Sequence, residues 1–170
     1  FLTTVRAEQN LLWWSLHTIT LDTQDTWFWE RLQTGATLGE SVYRDLSFAT
    51  PDPAPGYAAT LRLEQVSRYN SSATNYSHRT TIAVNGVSVG TFDWQDRRRI
   101  THTASIPGSA LTGDSTTARV GSVNRAAVAD DVYTNFWELD YRRQFYAWQR
   151  QLDFKAETAG AREYAVGGWT

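Results

Sequence analysis

The dipeptide Asn85-Gly86 constrains the fold of this chain more than any other feature. It separates two runs of alternating apolar residues, Ile82 and Val84 before it, Val87 and Val89 after it. A two-residue type I′ turn needs positive φ at both central positions, which Asn-Gly supplies best. Such a turn predicts Val84 opposite Val87 and Ile82 opposite Val89. All four side chains would then share one face of an antiparallel hairpin.

The same alternation recurs along the chain. Ala59, Leu61 and Leu63 alternate with Thr60, Arg62 and Glu64. Ile100, His102, Ala104 and Ile106 fall on one parity before Pro107-Gly108 ends the run, and Ala118 and Val120 sit in a Thr/Ser-rich strand. Trp137, Leu139 and Tyr141 alternate with charged residues; Leu152 with Phe154, and Tyr164 with Val166, repeat the pattern. Leu12 to Leu21 and Tyr43 to Phe48 read as further strands, whereas Thr26 to Leu32 fits a strand or one helical turn. From Tyr141 to Leu152, Phe145, Trp148 and Leu152 also fit a helix face. About eight to ten short strands divided by Gly, Pro, Asn and Asp turns predict an all-β, jelly-roll-like antiparallel β-sandwich. The expected organisation is a sandwich over residues 1–150, followed by closing strands over 151–170 that lead into a further domain. The expected core includes Leu61, Leu63, Ile82, Val84, Val87, Val89, Trp137, Leu139 and Tyr141.

Composition narrows the function classes. At 170 residues the chain has the size of one domain, and eight tryptophans give it ample material for a core. Net charge is −2, so no strong field points to nucleic acid or an anionic membrane. Arg97-Arg98-Arg99 is the one basic run and is expected to sit solvated in a turn. No run reaches the ~18 apolar residues of a membrane span. There is no cysteine, so disulfides, thiolate metal sites and a cysteine nucleophile are all excluded within these residues. Basic charge is almost all arginine, with Lys155 the sole lysine, which reads as coding bias.

Candidate chemistry is sparse. Of the three histidines, His102 falls on the inward parity of its strand, while His17 and His78 are expected to be solvated. A serine hydrolase would need one of them beside a Ser and an acid, and the Gly-x-Ser-x-Gly elbow is absent. Close aspartates, above all Asp130 and Asp131, admit calcium in a loop or, more simply, turn and cap roles. Trp13, Trp14, Trp27 and Trp29 crowd the first 30 residues. They are read either as core or as an exposed aromatic platform for sugar rings, which would make the chain a carbohydrate-binding module. If Trp13 and Trp14 share a strand they face opposite sides. Asn70-Ser71-Ser72 and Asn75-Tyr76-Ser77 match the glycosylation pattern, a weak signal.

Several segments taken in order carry a resemblance. Thr26-Trp27-Phe28-Trp29-Glu30-Arg31-Leu32 ending in Gly35 comes first, then Asn85-Gly86-Val87-Ser88-Val89-Gly90. Glu138, Leu139, Tyr141, Arg143 and Phe145 follow, then Leu152 with Phe154, then Tyr164, Val166 and Gly168. Their order over residues 10–170 resembles the β-sandwich that precedes the peptidase domain in bacterial gingipain-like cysteine peptidase family proteins. The resemblance implies a non-catalytic accessory domain, secreted or at the bacterial cell surface. It also implies a downstream caspase-like domain that would hold the Cys and His, with no cofactor here. The start at Phe1 and the end at Thr170 fit a piece of a longer protein.

Overall fold

In the computed structural model, residues 1–13, 26–68, 78–126 and 128–146 are described. Among them the chain forms eleven strands and a single 3₁₀ turn, Gly108–Ala110. The strands are β1 (Leu2–Glu8), β2 (Leu12–Trp13), β3 (Trp27–Phe28), β4 (Glu30–Gln33), β5 (Ser41–Ala49) and β6 (Ala59–Ser67). They continue with β7 (His78–Val84), β8 (Val87–Trp94), β9 (Arg99–Ile106), β10 (Ser115–Asn124) and β11 (Asp131–Arg142). One sheet runs β1-β11-β6-β9, with β4 beside the first half of β11; the other runs β5-β10-β7-β8; β2 and β3 form a separate ribbon. All pairings are antiparallel. The all-β antiparallel sandwich expected from the sequence is the observed fold.

The two inner faces supply the core, as period-2 alternation requires. Leu61, Leu63, Trp137, Leu139 and Tyr141 of the first sheet meet Ile82, Val84, Ala118 and Val120 of the second. Toward one end this core becomes polar. Trp94 Nε1 donates to Thr80 Oγ1 at 3.1 Å, and Thr80 donates to Gln65 Oε1 at 2.7 Å, linking the sheets. His102 lies buried on its predicted inward parity.

The hairpin keeps its turn but not its full register. Asn85 and Gly86 have φ of 48° and 83°, and Val84 pairs with Val87. Ile82, however, pairs with Gly90, so Val89 is an extra, bulged residue. Gly90 suits the position across from Ile82, since a Cβ there would sit 2.5 Å from the Phe92 ring. Val87 is correspondingly 40% exposed at the sheet end, and Val89 packs only partly against the core.

His78 is a second correction. It is 1% exposed and not solvated. The strand begins two residues earlier than the hairpin pattern suggests, which puts His78 on the inward parity of Thr80, Ile82 and Val84. Strand β1 is also absent from the sequence reading. Its inward Val5 and Ala7 are small, and Leu2 faces solvent. Thr26–Leu32 is extended, with a break at Trp29. Of the strand expected over Leu12–Leu21, Leu12–Trp13 is present; the remainder, with His17, lies outside the described residues. The glycosylation-like triplets, Lys155, Leu152, Phe154, Tyr164 and Val166 lie outside them too.

Arginine forks cross the outer faces. Arg79 is opposite Asp93 and Arg119 opposite Asp45, each pair bidentate at 2.7 Å. Arg62 reaches Glu138 directly across and Asp140 diagonally. Exposed pairs of this kind add little net stability, but they favour one register. Arg99 opens β9 and pairs with Glu64, so the 97–99 run is not wholly solvated.

One turn gives a sharp stability prediction. A Cβ on Gly108 would lie 2.6 Å from the Tyr57 carbonyl oxygen and 2.7 Å from its nitrogen, which are backbone atoms with little room to yield. Gly108→Ala is expected to cost about 1–3 kcal/mol. Gly113→Ala, where a Cβ meets nothing within 4 Å, is the neutral control. Urea midpoints at unchanged m-value would report both; equal midpoints for the two variants would contradict the packing argument.

Candidate functional site

The β2–β3 ribbon is held by its inward side chains. Leu12 pairs with Phe28, and Phe28 is buried against Val66 and Tyr133, with ring centroids 5.3 Å apart to Tyr133. The next residue on each strand must then point outward. Those residues are Trp13 and Trp27, directly opposite one another. Trp13 is 62% and Trp27 44% exposed. Trp29 breaks the alternation where the ribbon bends into β4. Its N–H donates to the Thr134 carbonyl at 2.9 Å, and its side chain joins the main core at 7% exposure. The four clustered tryptophans therefore separate. Trp29 is core, Trp13 and Trp27 form an exposed pair, and Trp14 lies outside the described residues.

At the Leu11–Leu12 end of this ribbon is a cleft of about 430 Å³, lined by neither exposed tryptophan. Leu11, Leu12 and Trp29 line it with apolar side chains, and Glu30, Arg31, Gln33 and Arg44 with polar groups. It lies on the flank where β4, beside β11, approaches β5, the edge of the other sheet. Its charges are fixed by pairing. Arg31 binds Asp131 through two bonds of 2.7 and 2.8 Å, and this hydrogen bonding raises the guanidinium pKa further. Arg44 donates to Glu30 at 3.1 Å and to the Tyr43 carbonyl at 2.9 Å. Of the lining residues, Gln33 and Arg44 carry no signal in the sequence, because Arg44 joins the others only through sheet topology.

Asp130 and Asp131 are turned to different partners. Asp130 Oδ1 accepts from His78 Nδ1 at 2.8 Å and from the Asp131 N–H at 2.8 Å, while Oδ2 accepts from Ser122 at 3.2 Å. Asp131 serves Arg31. Both carboxylates are thus committed to protein donors. Among the described residues no group of three or more acidic or histidine side chains is placed to hold a metal ion.

His78, Asp130 and Ser122 have the composition of a hydrolytic triad but not its connectivity. Base and hydroxyl are each bound to the acid, whereas a nucleophile must pass its proton to the base. All three are buried, with the His78 ring packed at a tilt against Trp94, centroids 4.3 Å apart. The arrangement ties β7 and β10 to the start of β11.

No family model and no curated protein matches the chain. Solved structures do. Dimeric latent PorU from Porphyromonas gingivalis superposes over 86% of this chain with a TM-score of 0.55 and 12% identity. The two share a fold. This chain spans only 13% of the PorU chain. A family 35 carbohydrate-binding module from Cellvibrio japonicus Abf62 covers 81% of this chain and 92% of its own, at TM-score 0.43 and 12% identity. A family 36 module in complex with calcium and xylotriose covers 60% and 76%, at TM-score 0.41 and 16% identity. Both superpose too loosely for residue positions to be compared.

Proposed function

We propose that this chain is a non-catalytic accessory β-sandwich domain of a larger exported protein of the gingipain-like cysteine peptidase family. It acts through surface contacts with the peptidase domain or with a cell-surface ligand. The observation that carries contact as the mode of action is the exposed Trp13–Trp27 pair. Large apolar side chains gathered at a surface mark an interaction site, and indoles are favoured where one side is apolar and the other wet. The ordered motifs from Trp27 to Gly168 support the family. The fold shared with a short stretch of PorU suits a minor domain within a long chain.

The parent gene tests this reading. Sequence encoding a caspase-like domain with a Cys–His pair is expected directly after Thr170. An unrelated domain there, or none, contradicts it.

A further inference from the structure

We infer that the Trp13–Trp27 pair and the cleft at the Leu11–Leu12 end of the same ribbon form a binding site for a neutral, pyranose-based oligosaccharide. The inference rests on the reading of the chain as a domain that works by surface contact. It adds the chemistry of the ligand.

Three observations point to a sugar. The first is the indole pair. Residues directly opposite on antiparallel strands have Cβ atoms about 4.5–5.5 Å apart, so Trp13 and Trp27 present adjacent apolar surfaces. A pyranose ring offers a face of C–H groups that stacks on such a surface while its hydroxyls point sideways. The second is the cleft at the Leu11–Leu12 end of the same ribbon. Its volume of about 430 Å³ lies within the usual range for small-molecule sites, and its lining combines apolar side chains with a few polar groups.

The third is the pairing of the charges. Arg44 is joined to Glu30 and Arg31 to Asp131, so the rim carries no large uncompensated charge. An acidic ligand would have to compete with carboxylates already on both guanidiniums. A hydroxyl need not, because it donates to a carboxylate and accepts from a guanidinium at once. Paired Arg and Glu, with Gln33 beside them, therefore suit a ligand rich in hydroxyls and free of charge. The ribbon is also preorganised by Phe28 against Tyr133 and Val66, which limits the ordering cost of binding.

The test uses the chain as it stands on a printed array of neutral glycans (β-1,4-glucan, β-1,3-glucan, mannan and galactan oligomers) with hexagalacturonic acid as the acidic comparison. Hits are followed by tryptophan-fluorescence titration. Saturable binding to at least one neutral oligomer is expected. Trp13→Ala/Trp27→Ala should weaken it at least tenfold, and Trp13→Ala alone, at the ring that is 62% exposed, severalfold with an unchanged melting temperature. Arg44→Ala should weaken it severalfold, an arm that does not depend on the ribbon variants folding. Silence across the neutral glycans, binding to hexagalacturonic acid alone, or equal binding by the double variant would overturn the assignment. Glycan silence with a peptidase domain encoded after Thr170 removes the sugar and keeps the accessory reading. Glycan binding without such a domain does the reverse.

Discussion

An Asp130→Ala variant is expected to lose about 3–5 kcal/mol of stability, a fall in melting temperature of roughly 6–20 °C for a chain of this size. The carboxylate is buried and is the common acceptor for His78 Nδ1, the Ser122 hydroxyl and the Asp131 N–H. Truncation strands all three donors in the sandwich at once. Leaving a buried polar group unsatisfied costs more than the bond itself contributes. Asp130→Asn keeps an acceptor oxygen and should cost only about 1–2 kcal/mol. Differential scanning calorimetry on both variants checks the order. If alanine and asparagine lowered the melting temperature equally, acceptance by the carboxyl oxygens would not be the reason Asp130 is buried.

The second large effect is a loss of stability in mild acid, governed by His102. Burial, with a smaller contribution from Arg98, lowers its pKa from 6.5 to about 4. Its ring packs against Phe92 at 4.8 Å and Trp94 at 5.7 Å, and its Nε2 has no hydrogen-bond partner among the described residues. The unfolded chain therefore binds a proton between pH 6.5 and 4 that the folded chain refuses. Stability from this group is complete above pH 6.5, falls as pH drops toward 4, and is level below that. The whole fall is about 3 kcal/mol. Asp45 and Asp93, held below the usual carboxylate range by Arg119 and Arg79, give their losses in more acid solution. Urea unfolding at pH 7, 5.5 and 4 measures the slope. His102→Leu should flatten it across this window; a variant that keeps the full slope would assign the effect to another group.

The fold was legible because its strongest signals are local. Asn85-Gly86 fixes a turn through backbone sterics alone, and the alternation at Leu61–Leu63 and Trp137–Tyr141 states which faces are buried. What escaped depends on register and partners. The bulge at Val89 reflects the ring of Phe92 over Gly90, a contact between residues whose spacing looks regular in one dimension. His78 read as solvated because its strand continues past the hairpin pattern, and its partner Asp130 is 52 residues away. The site was half legible. Tryptophan crowding near the start marked the region, but parity alone could not tell that Trp29 turns inward at a bend while Trp13 and Trp27 face out together. Gln33 and Arg44 carried no signal, and Glu30 and Arg31 only as part of the Thr26–Leu32 motif, since each is an ordinary strand residue until β4 and β5 are brought side by side.

The arginine content has a comparable history. A near absence of lysine reads as coding bias in the sequence. In the fold, Arg31, Arg62, Arg79 and Arg119 each make forked, cross-strand contacts that a lysine's point charge would reproduce poorly.

The central claim is that this domain recognises its ligand through the outward tryptophans of the β2–β3 ribbon. The eight indole N–H resonances of ¹⁵N-labelled chain report on it most directly. With Trp13 and Trp27 assigned through Trp13→Phe and Trp27→Phe, those two signals should shift on addition of a neutral oligosaccharide that binds on the array. Those of buried Trp94 and Trp137 should stay in place. Shifts confined to other indoles, with Trp13 and Trp27 unmoved, would contradict the account.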